Sequence, residues 1–344
     1  MKHKLLSGRR PLFAAALAAT FITVTSLCAC IDEFDEVEDE LGLEDDAFRA
    51  KPKGGTCITP PSGMRLWHSY DESTGPTAFD YSFAPGAAHG THVAVTPGVA
   101  GEVASALEFN GSTSAVIVPD EPVLDLDQSS FAVDFWIRPN VGEQRAMLLR
   151  KGIQSALPSG AGQLDEGFQI SWNGTAVFVT LASAGASTIR QIGGVNSITP
   201  GQWNFVAINV DRVAETAQLW INGVDNGLLS MPNPGSITTS ADLVIGDNGI
   251  HATDWSFDGS LDELELFGRV LTVAEVAALY IAGPNGKCKT CPPESETVNY
   301  ASTDPEACAG GDIPAVLCSP SMGWQSFDNH CGCGCIQVSG GGQQ

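Results

Sequence analysis

Apolar and polar side chains alternate along Phe131-Ala-Val-Asp-Phe-Trp-Ile-Arg138, placing Phe131, Val133, Phe135 and Ile137 on one face. Asp134, Trp136 and Arg138 go to the other face, which is the pattern of a half-buried strand. The same period sets Val206, Ile208 and Val210 together, and likewise Ala217, Leu219 and Ile221. Asn222-Gly223 follows, a dipeptide suited to a type I′ hairpin turn. Shorter runs at 106–109, 115–118, 167–171, 176–181, 243–246 and 261–267 are separated by Gly, Pro, Asn and Asp. Many short strands without interleaved helices predict an all-β fold of two packed sheets or a closed barrel. One helix is predicted, at the C-terminal end of this region. Thr272-Val-Ala-Glu275 is a capping box ahead of Val276, Leu279 and Tyr280, and Gly283-Pro284 stops it. It is expected to cover an open end of the sandwich.

The N-terminus has a different pattern. Lys2, Lys4, Arg9 and Arg10 precede an uncharged run from Pro11 to Leu27, and small residues follow. This is the layout of an export signal. Leu27-Cys-Ala-Cys30 resembles a bacterial lipobox, in which cleavage precedes the cysteine and the cysteine carries lipid. That resemblance implies residues 1–29 as a lipoprotein signal peptide and Cys30 as the lipidation site; soluble secretion and an uncleaved anchor are the alternatives. Several acyl chains at about 0.8 kcal/mol per buried CH₂ would hold the protein on a membrane. Ile31 does not match the Asp that marks inner-membrane retention in some bacteria. The expected location is therefore the envelope of a Gram-negative bacterium, at the outer membrane or cell surface.

Charge sharpens this division. The chain of 344 residues carries 40 acidic and 17 basic side chains. The four basic residues named above leave with the signal, and no acid does. Ten acids lie between Asp32 and Asp46, so 30–56 is expected to be an extended, self-repelling tether. The remainder is still acidic, which excludes nucleic acid as a partner.

The order of several stretches resembles the LamG-like jelly roll of the concanavalin A-like superfamily over roughly residues 65–281. These are Tyr70-Asp-Glu-Ser-Thr-Gly75, Gly101 to Gly111, Ser130 to Arg138, Pro200-Gly-Gln-Trp-Asn-Phe-Val-Ala207, Leu219-Trp-Ile-Asn-Gly-Val224 and Phe257 to Leu271. The resemblance implies a two-sheet antiparallel jelly-roll sandwich with one short C-terminal helix over 57–286, followed by a disulfide-rich tail over 287–344. It also implies binding of a glycan or of an extracellular or envelope protein. A structural envelope role without a small ligand is the first alternative, and a glycoside hydrolase the second. Trp136, Trp172, Trp220 and Trp255 are candidate stacking surfaces. Trp220 alternates away from Leu219 and Ile221 and is the best ligand-binding candidate. Calcium is the one cofactor that the resemblance brings in, with Asp80, Asn110 and Asp262 at comparable motif positions.

Hydrolysis needs paired carboxyls facing the scissile bond. Strict alternation through Ser260-Leu-Asp-Glu-Leu-Glu-Leu266 puts Glu263 and Glu265 on one face with Leu261 and Phe267, and Asp262 on the other. No three-acid array is expected, and the chain reads as non-catalytic. His89-Gly-Thr-His92 reads as a turn near the first strands.

Seven cysteines crowd the end: Cys288, Cys291, Cys308, Cys318, Cys331, Cys333 and Cys335. Behind an export signal they read as disulfides, with zinc as the alternative. The spelling around Gly323-Trp and Phe327 to Cys335 resembles a Cys-rich tail found on diverse exported bacterial proteins. Seven cannot pair among themselves, and Cys57 is the other cysteine beyond the signal region. Jelly rolls of this family bring their terminal strands together, so Cys57 is expected to pair with Cys288 or Cys291. The other pairings stay open.

Overall fold

The fold is seen in a computed structural model. The described residues are 56–337, apart from 83, 85–86, 141–144, 157–161, 184–185, 193–196, 248–254, 292–297, 304–317, 320–323 and 330–331. The signal, Cys30 and almost all of the acidic tether lie outside them, as do Cys308 and Cys331.

In chain order the strands are β1 (Met64–His68), β2 (Thr77–Ala78), β3 (Gly90–Val93), β4 (Thr96–Ala100), β5 (Ser105–Asn110) and β6 (Ala115–Val118). Then come β7 (Phe131–Pro139), β8 (Ala146–Ala156), β9 (Gly162–Trp172), β10 (Val177–Ser183), β11 (Ala186–Ile192), β12 (Asn204–Asp211) and β13 (Thr216–Ile221). The sandwich ends with β14 (Val224–Ser230), β15 (Leu243–Ile245), β16 (Asp258–Phe267) and helix α1 (Val273–Ala282). The tail adds β17 (Val298–Ser302), β18 (Trp324–Asn329) and β19 (Gly332–Gln337).

Two antiparallel sheets of eight strands each form the sandwich. The first runs β14-β13-β12-β7-β16-β5-β4, with β1 also paired to β16; the second runs β11-β10-β9-β8-β15-β6-β3-β2. Alternation explains what lies between them. Phe131, Val133, Phe135 and Ile137 of β7 meet Phe168, Ile170, Val179 and Leu181 of the second sheet in one continuous core. Burying each such side chain contributes roughly 1.5–3 kcal/mol. At the β13–β14 hairpin Asn222 (φ 52°) and Gly223 (φ 77°) both adopt positive φ, as a type I′ turn requires. His89-Gly-Thr-His92 is not a turn: Gly90–Val93 is β3, paired with both β2 and β6.

Helix α1 forms where its capping box predicts. The Thr272 hydroxyl accepts from Glu275 N at 3.2 Å, and Glu275 Oε2 accepts from Thr272 N at 2.9 Å. Its position differs from expectation. It does not close an end of the sandwich; it lies on the outer face of the first sheet. There Val276 and Leu279 pack on Trp136, Phe205, Trp220 and Phe267. The cause is the composition of that face, where β7, β12, β13 and β16 all present large apolar side chains outward.

The tail strands form a separate sheet in the order β17-β19-β18. Buried Ile336 of β19 packs on Trp67, Phe79 and Tyr81. Cys318 is bonded to Cys335, and Cys291 and Cys333 are also disulfide-bonded. Cys57 is bonded to Cys288, a link across 231 residues.

Candidate functional site

The three acids of β16 do not follow strict alternation. The register against β7 shifts between Asp262 and Glu265, and Glu263 has φ 49°. This is a β-bulge, an extra residue that lets two successive side chains emerge on one side. Leu261, Leu264 and Leu266 all enter the core. Asp262, Glu263 and Glu265 are consequently gathered on the outer face, and the expectation that Asp262 lies opposite the other two is corrected. The interval from Leu261 to Leu264 carried the signal: two core leucines an odd number of residues apart need an inserted residue.

Asp134 of β7 stands directly opposite Glu265. Asp71, just after β1, completes the acidic cluster. Two lysines from the segment after α1 enter it. Lys287 Nζ lies 2.6 Å from Glu263 Oε2 and 2.7 Å from Glu265 Oε1. Lys289 Nζ lies 2.7 Å from Glu263 Oε1 and also contacts Asp71 Oδ2. Trp67 closes one side: its indole N–H donates to Glu263 Oε2 at 3.0 Å, and Lys287 Nζ sits 5.0 Å from its ring centre.

The lysine segment is pinned. Ile58 N donates to Gly286 O at 3.0 Å and Cys288 N donates to Ile58 O at 2.8 Å. Residues 287 and 289 thus flank Cys288, whose sulfur is bonded to Cys57. In an extended segment, side chains two apart share a face, which is how both lysines reach the acids.

The electrostatics follow from this geometry. Burial opposes ionisation of Glu263, but Lys287 and Lys289 outweigh it and hold the carboxyl below its ordinary value. Burial, together with neighbouring Asp134, pushes Glu265 well above the carboxylate range. Burial also raises Asp134, and burial with the adjacent Glu263 charge raises Asp262 strongly. Lys287 is held above the usual lysine value, because Glu263, Glu265 and Asp134 overcome the pull of burial.

This constellation cannot meet a substrate as it stands. Glu263 is 1% exposed and Asp262 and Glu265 are 0%. A cavity beside them, lined by Asp134, Glu263, Lys287 and Trp136, measures ≈ 10 Å³, room for about one water and far too small for a sugar ring.

The other expected site residues are also accounted for by packing. Trp220 is 2% exposed beneath α1, so its ring offers no face to a ligand. Trp136 is stacked near Tyr280, Trp172 is in the main core, and Trp255 is half-buried. Asp80, Asn110 and Asp262 do not converge on a calcium site. Asp80 accepts from the N–H groups of Trp67, Ser82 and Ala88. Asn110 Oδ1 caps its own turn through Ser112 N and Thr113 N. Asp262 Oδ2 accepts from Val103 N at 2.8 Å. Asn110 pairs with Asp258, four residues from Asp262, which is about 13 Å along a strand. Among the described residues no group of three or more His, Cys, Asp or Glu is arranged to hold a metal. His89 and His92 are structural: His89 Nδ1 accepts from Asp80 N, and burial lowers both rings to about 4.

The outer face of the second sheet differs. Cross-strand pairing lines up Thr91, Ile117, Val244, Arg150, Gln169 and Thr180 across six strands. Ile117, Val244, Arg150, Gln169 and Thr180 neighbour core residues on their own strands. Phe178 and Ser171 form a second row beside them. Gln169 Oε1 is buried and has no hydrogen-bond partner among the described residues, and Arg150, Ser171 and Thr180 are buried beside it. Helix α1 packs on the first sheet, not here. No motif marked this face in the sequence, because its residues are isolated polar positions between core residues.

Residues 110–277 match the family model described as the concanavalin A-like lectin/glucanases superfamily. No curated protein matches the chain. Among solved structures, the binding domain of Paraclostridial Mosquitocidal Protein 1 is 17% identical, with 63% of this chain and 52% of that chain covered and a TM-score of 0.48. The binding domain of botulinum neurotoxin serotype G is 19% identical, with 80% and 65% covered and a TM-score of 0.48. Domain 4 of an extracellular arabinanase from Geobacillus stearothermophilus, in complex with arabinotriose, is 20% identical, with 62% and 96% covered and a TM-score of 0.39. The chain spans about half the length of the first of these toxin domains. The matched segment runs from the end of β5 into α1 and so contains most strands of both sheets; over these residues the sandwich is similar to the laminin G-like domains of the concanavalin A-like lectin/glucanases superfamily.

Proposed function

We propose that this chain is a lipid-anchored envelope protein, held through Cys30, that binds a glycan or an extracellular protein on the outer face of the second sheet without catalysing a reaction. One observation carries the reading: the two outer faces are unequal. The first is sealed by α1 and by Lys287 and Lys289, and every carboxyl of its acidic cluster is buried. The second carries a row of hydroxyl, amide, guanidinium and apolar side chains across the sheet, of which Thr91, Ile117, Val244 and Gln169 are half-buried while Arg150 and Thr180 are buried. A few convergent polar groups on an otherwise apolar surface are what a neutral polyhydroxylated ligand or a protein surface needs. The non-catalytic reading rests on the burial of Glu263 and Glu265, a carboxyl pair that therefore faces no open cleft.

The test is capture from envelope extract and on a glycan array, using the protein released from its anchor. Capture that is lost in Gln169→Ala and Phe178→Ala, and retained in Trp220→Phe, supports the reading. Capture unchanged by both face variants would remove the second sheet as the binding surface. Release of reducing sugar that disappears in Glu263→Gln would replace the reading with a hydrolase.

A further inference from the structure

We propose that Lys289 and Asp71 become joined by an isopeptide bond inside the folded domain, with Glu263 as proton carrier. All parts of such a reaction meet at one point. Lys289 Nζ contacts Asp71 Oδ2 and lies 2.7 Å from Glu263 Oε1. The three side chains are 9%, 7% and 1% exposed, so competing water is scarce. Asp71 Oδ1, the oxygen that would carry the developing negative charge, accepts from Ser105 N at 3.2 Å. A backbone N–H aimed at that atom stabilises a tetrahedral intermediate. The Trp67 ring, 5.9 Å from Lys289 Nζ, walls the site. Holding amine and carboxyl in contact replaces a bimolecular condensation by an intramolecular one, worth effective molarities of about 10⁵–10⁸ M for well-aligned groups.

The step balances without a cofactor or oxidant. The Lys289 ammonium passes one proton to Glu263, and the free amine attacks Asp71 Cγ. The Nζ–Cγ bond forms. A second nitrogen proton moves to Oδ2, the Cγ–Oδ2 bond breaks, and Glu263 returns its proton to the departing hydroxyl. One water leaves and an amide N–H remains. Asp71 enters as the carboxylate, so no proton is left over; burial raises that carboxyl against the pull of Lys289. Burial lowers Lys289, but Glu263 and Asp71 more than offset it. Proton transfer from Lys289 to Glu263 is therefore uphill, because Glu263 is itself held below its ordinary value. Lys287 lacks this arrangement: among the described residues no backbone N–H donates to its partner Glu265. The bond would tie positions 218 residues apart, beside the Cys57–Cys288 disulfide but insensitive to reductant.

The experiment is mass spectrometry of the purified full-length protein after denaturation, reduction, alkylation and trypsin. The expected product is the peptide that follows Arg65 joined to the C-terminal peptide that begins at Cys288, lighter by one water, with no cleavage after Lys289. Asp71→Asn is expected to give the same link with loss of ammonia instead. Lys289→Arg keeps the charge and supplies the unlinked reference. Glu263→Gln is expected to give unlinked peptides; a link surviving there would overturn the role of Glu263. Cleavage after Lys289 in the unsubstituted protein, with both peptides at full mass, would overturn the proposal whatever the variants do.

Discussion

Asp134 and Glu265 are direct cross-strand partners, and both of their carboxyls are buried. Burial raises both, Glu265 well above the carboxylate range with Asp134 beside it, so the pair keeps protons to higher pH than two exposed carboxyls would. Glu72 is a second retained acid: burial raises it to about 8, while its Oε1 accepts from Phe79 N at 2.8 Å. Groups raised on folding bind more protons in the native state than in the unfolded chain. Their contribution is complete below the unfolded value near 4.5 and is lost as pH climbs through the folded value. Glu263 and Glu275 act in the opposite sense. Both are lowered, Glu275 to about 2 by its hydrogen bond with Arg269, and their contribution is lost as pH falls below about 4.5. Thermal stability is therefore expected to peak near pH 5 and to decline toward pH 8 and beyond. Glu72→Gln is expected to flatten the alkaline limb, because a neutral amide keeps the acceptor. Melting temperatures across pH 4–9 check this, and a rise between pH 5 and 8 would contradict it.

Lys287 neutralises carboxylates that have no exit to water. Replacing it by Met leaves Glu263 and Glu265 facing each other across a filled but uncharged space. Removing one partner of a buried pair costs about 3–5 kcal/mol. Arg269→Ala removes the half-buried partner of Glu275, for which about 1 kcal/mol or less is expected. Urea unfolding midpoints compare the two. Adding Glu263→Gln to Lys287→Met is expected to recover part of the loss, since Glu263 is the carboxyl held below its ordinary value by the lysines and is the charge left stranded; an additive double variant would show that the two groups do not interact.

Trp220 tests packing against recognition. Its ring lies under α1 with Phe205, Leu271 and Leu279. Trp220→Ala is expected to destabilise by about 3–5 kcal/mol, the range for large-to-small changes in a core. Trp220→Phe, which keeps most of the volume, is expected to leave capture of any ligand unchanged. Loss of capture at full stability would return Trp220 to the binding site.

The sandwich was legible because its strands obey period two and its hairpin and helix ends carry specific turn and cap chemistry. Phe131 to Ile137, Val206 to Val210 and Asn222-Gly223 all behave as their spacing requires. The acidic cluster was not legible in the same way. One bulge at Glu263 reverses the face of every residue beyond it, and alternation read across the bulge misplaces Asp262 relative to Glu265. The lysines were invisible for another reason: Lys287 and Lys289 are two ordinary cations in a loop until Cys57–Cys288 and the Ile58 hydrogen bonds bring that loop onto β16. The capping box at Thr272 located α1 but could not say which surface it covers, because that depends on outward-facing Trp136, Phe205 and Trp220, contributed by three strands.

The outer face of the second sheet carries the remaining prediction. Gln169 is flanked across the sheet by Arg150 and Thr180, and its Oε1 lacks a partner among the described residues. The atom is buried, so a ligand hydroxyl or amide N–H reaches it only when the surrounding side chains move; once made, such a bond is costly to lose. Phe178 adds apolar area one row away, opposite Ser171. If the face binds, Gln169→Ala and Phe178→Ala are each expected to weaken capture by about tenfold or more, equivalent to about 1.4 kcal/mol. Gln169→Glu separates ligand classes. It keeps an acceptor but adds a negative charge within reach of Arg150, so a neutral glycan that accepts from Arg150 is expected to be weakened and a basic protein surface strengthened. Affinity measured for both variants at two salt concentrations distinguishes these outcomes, since only the charged partner responds strongly to salt.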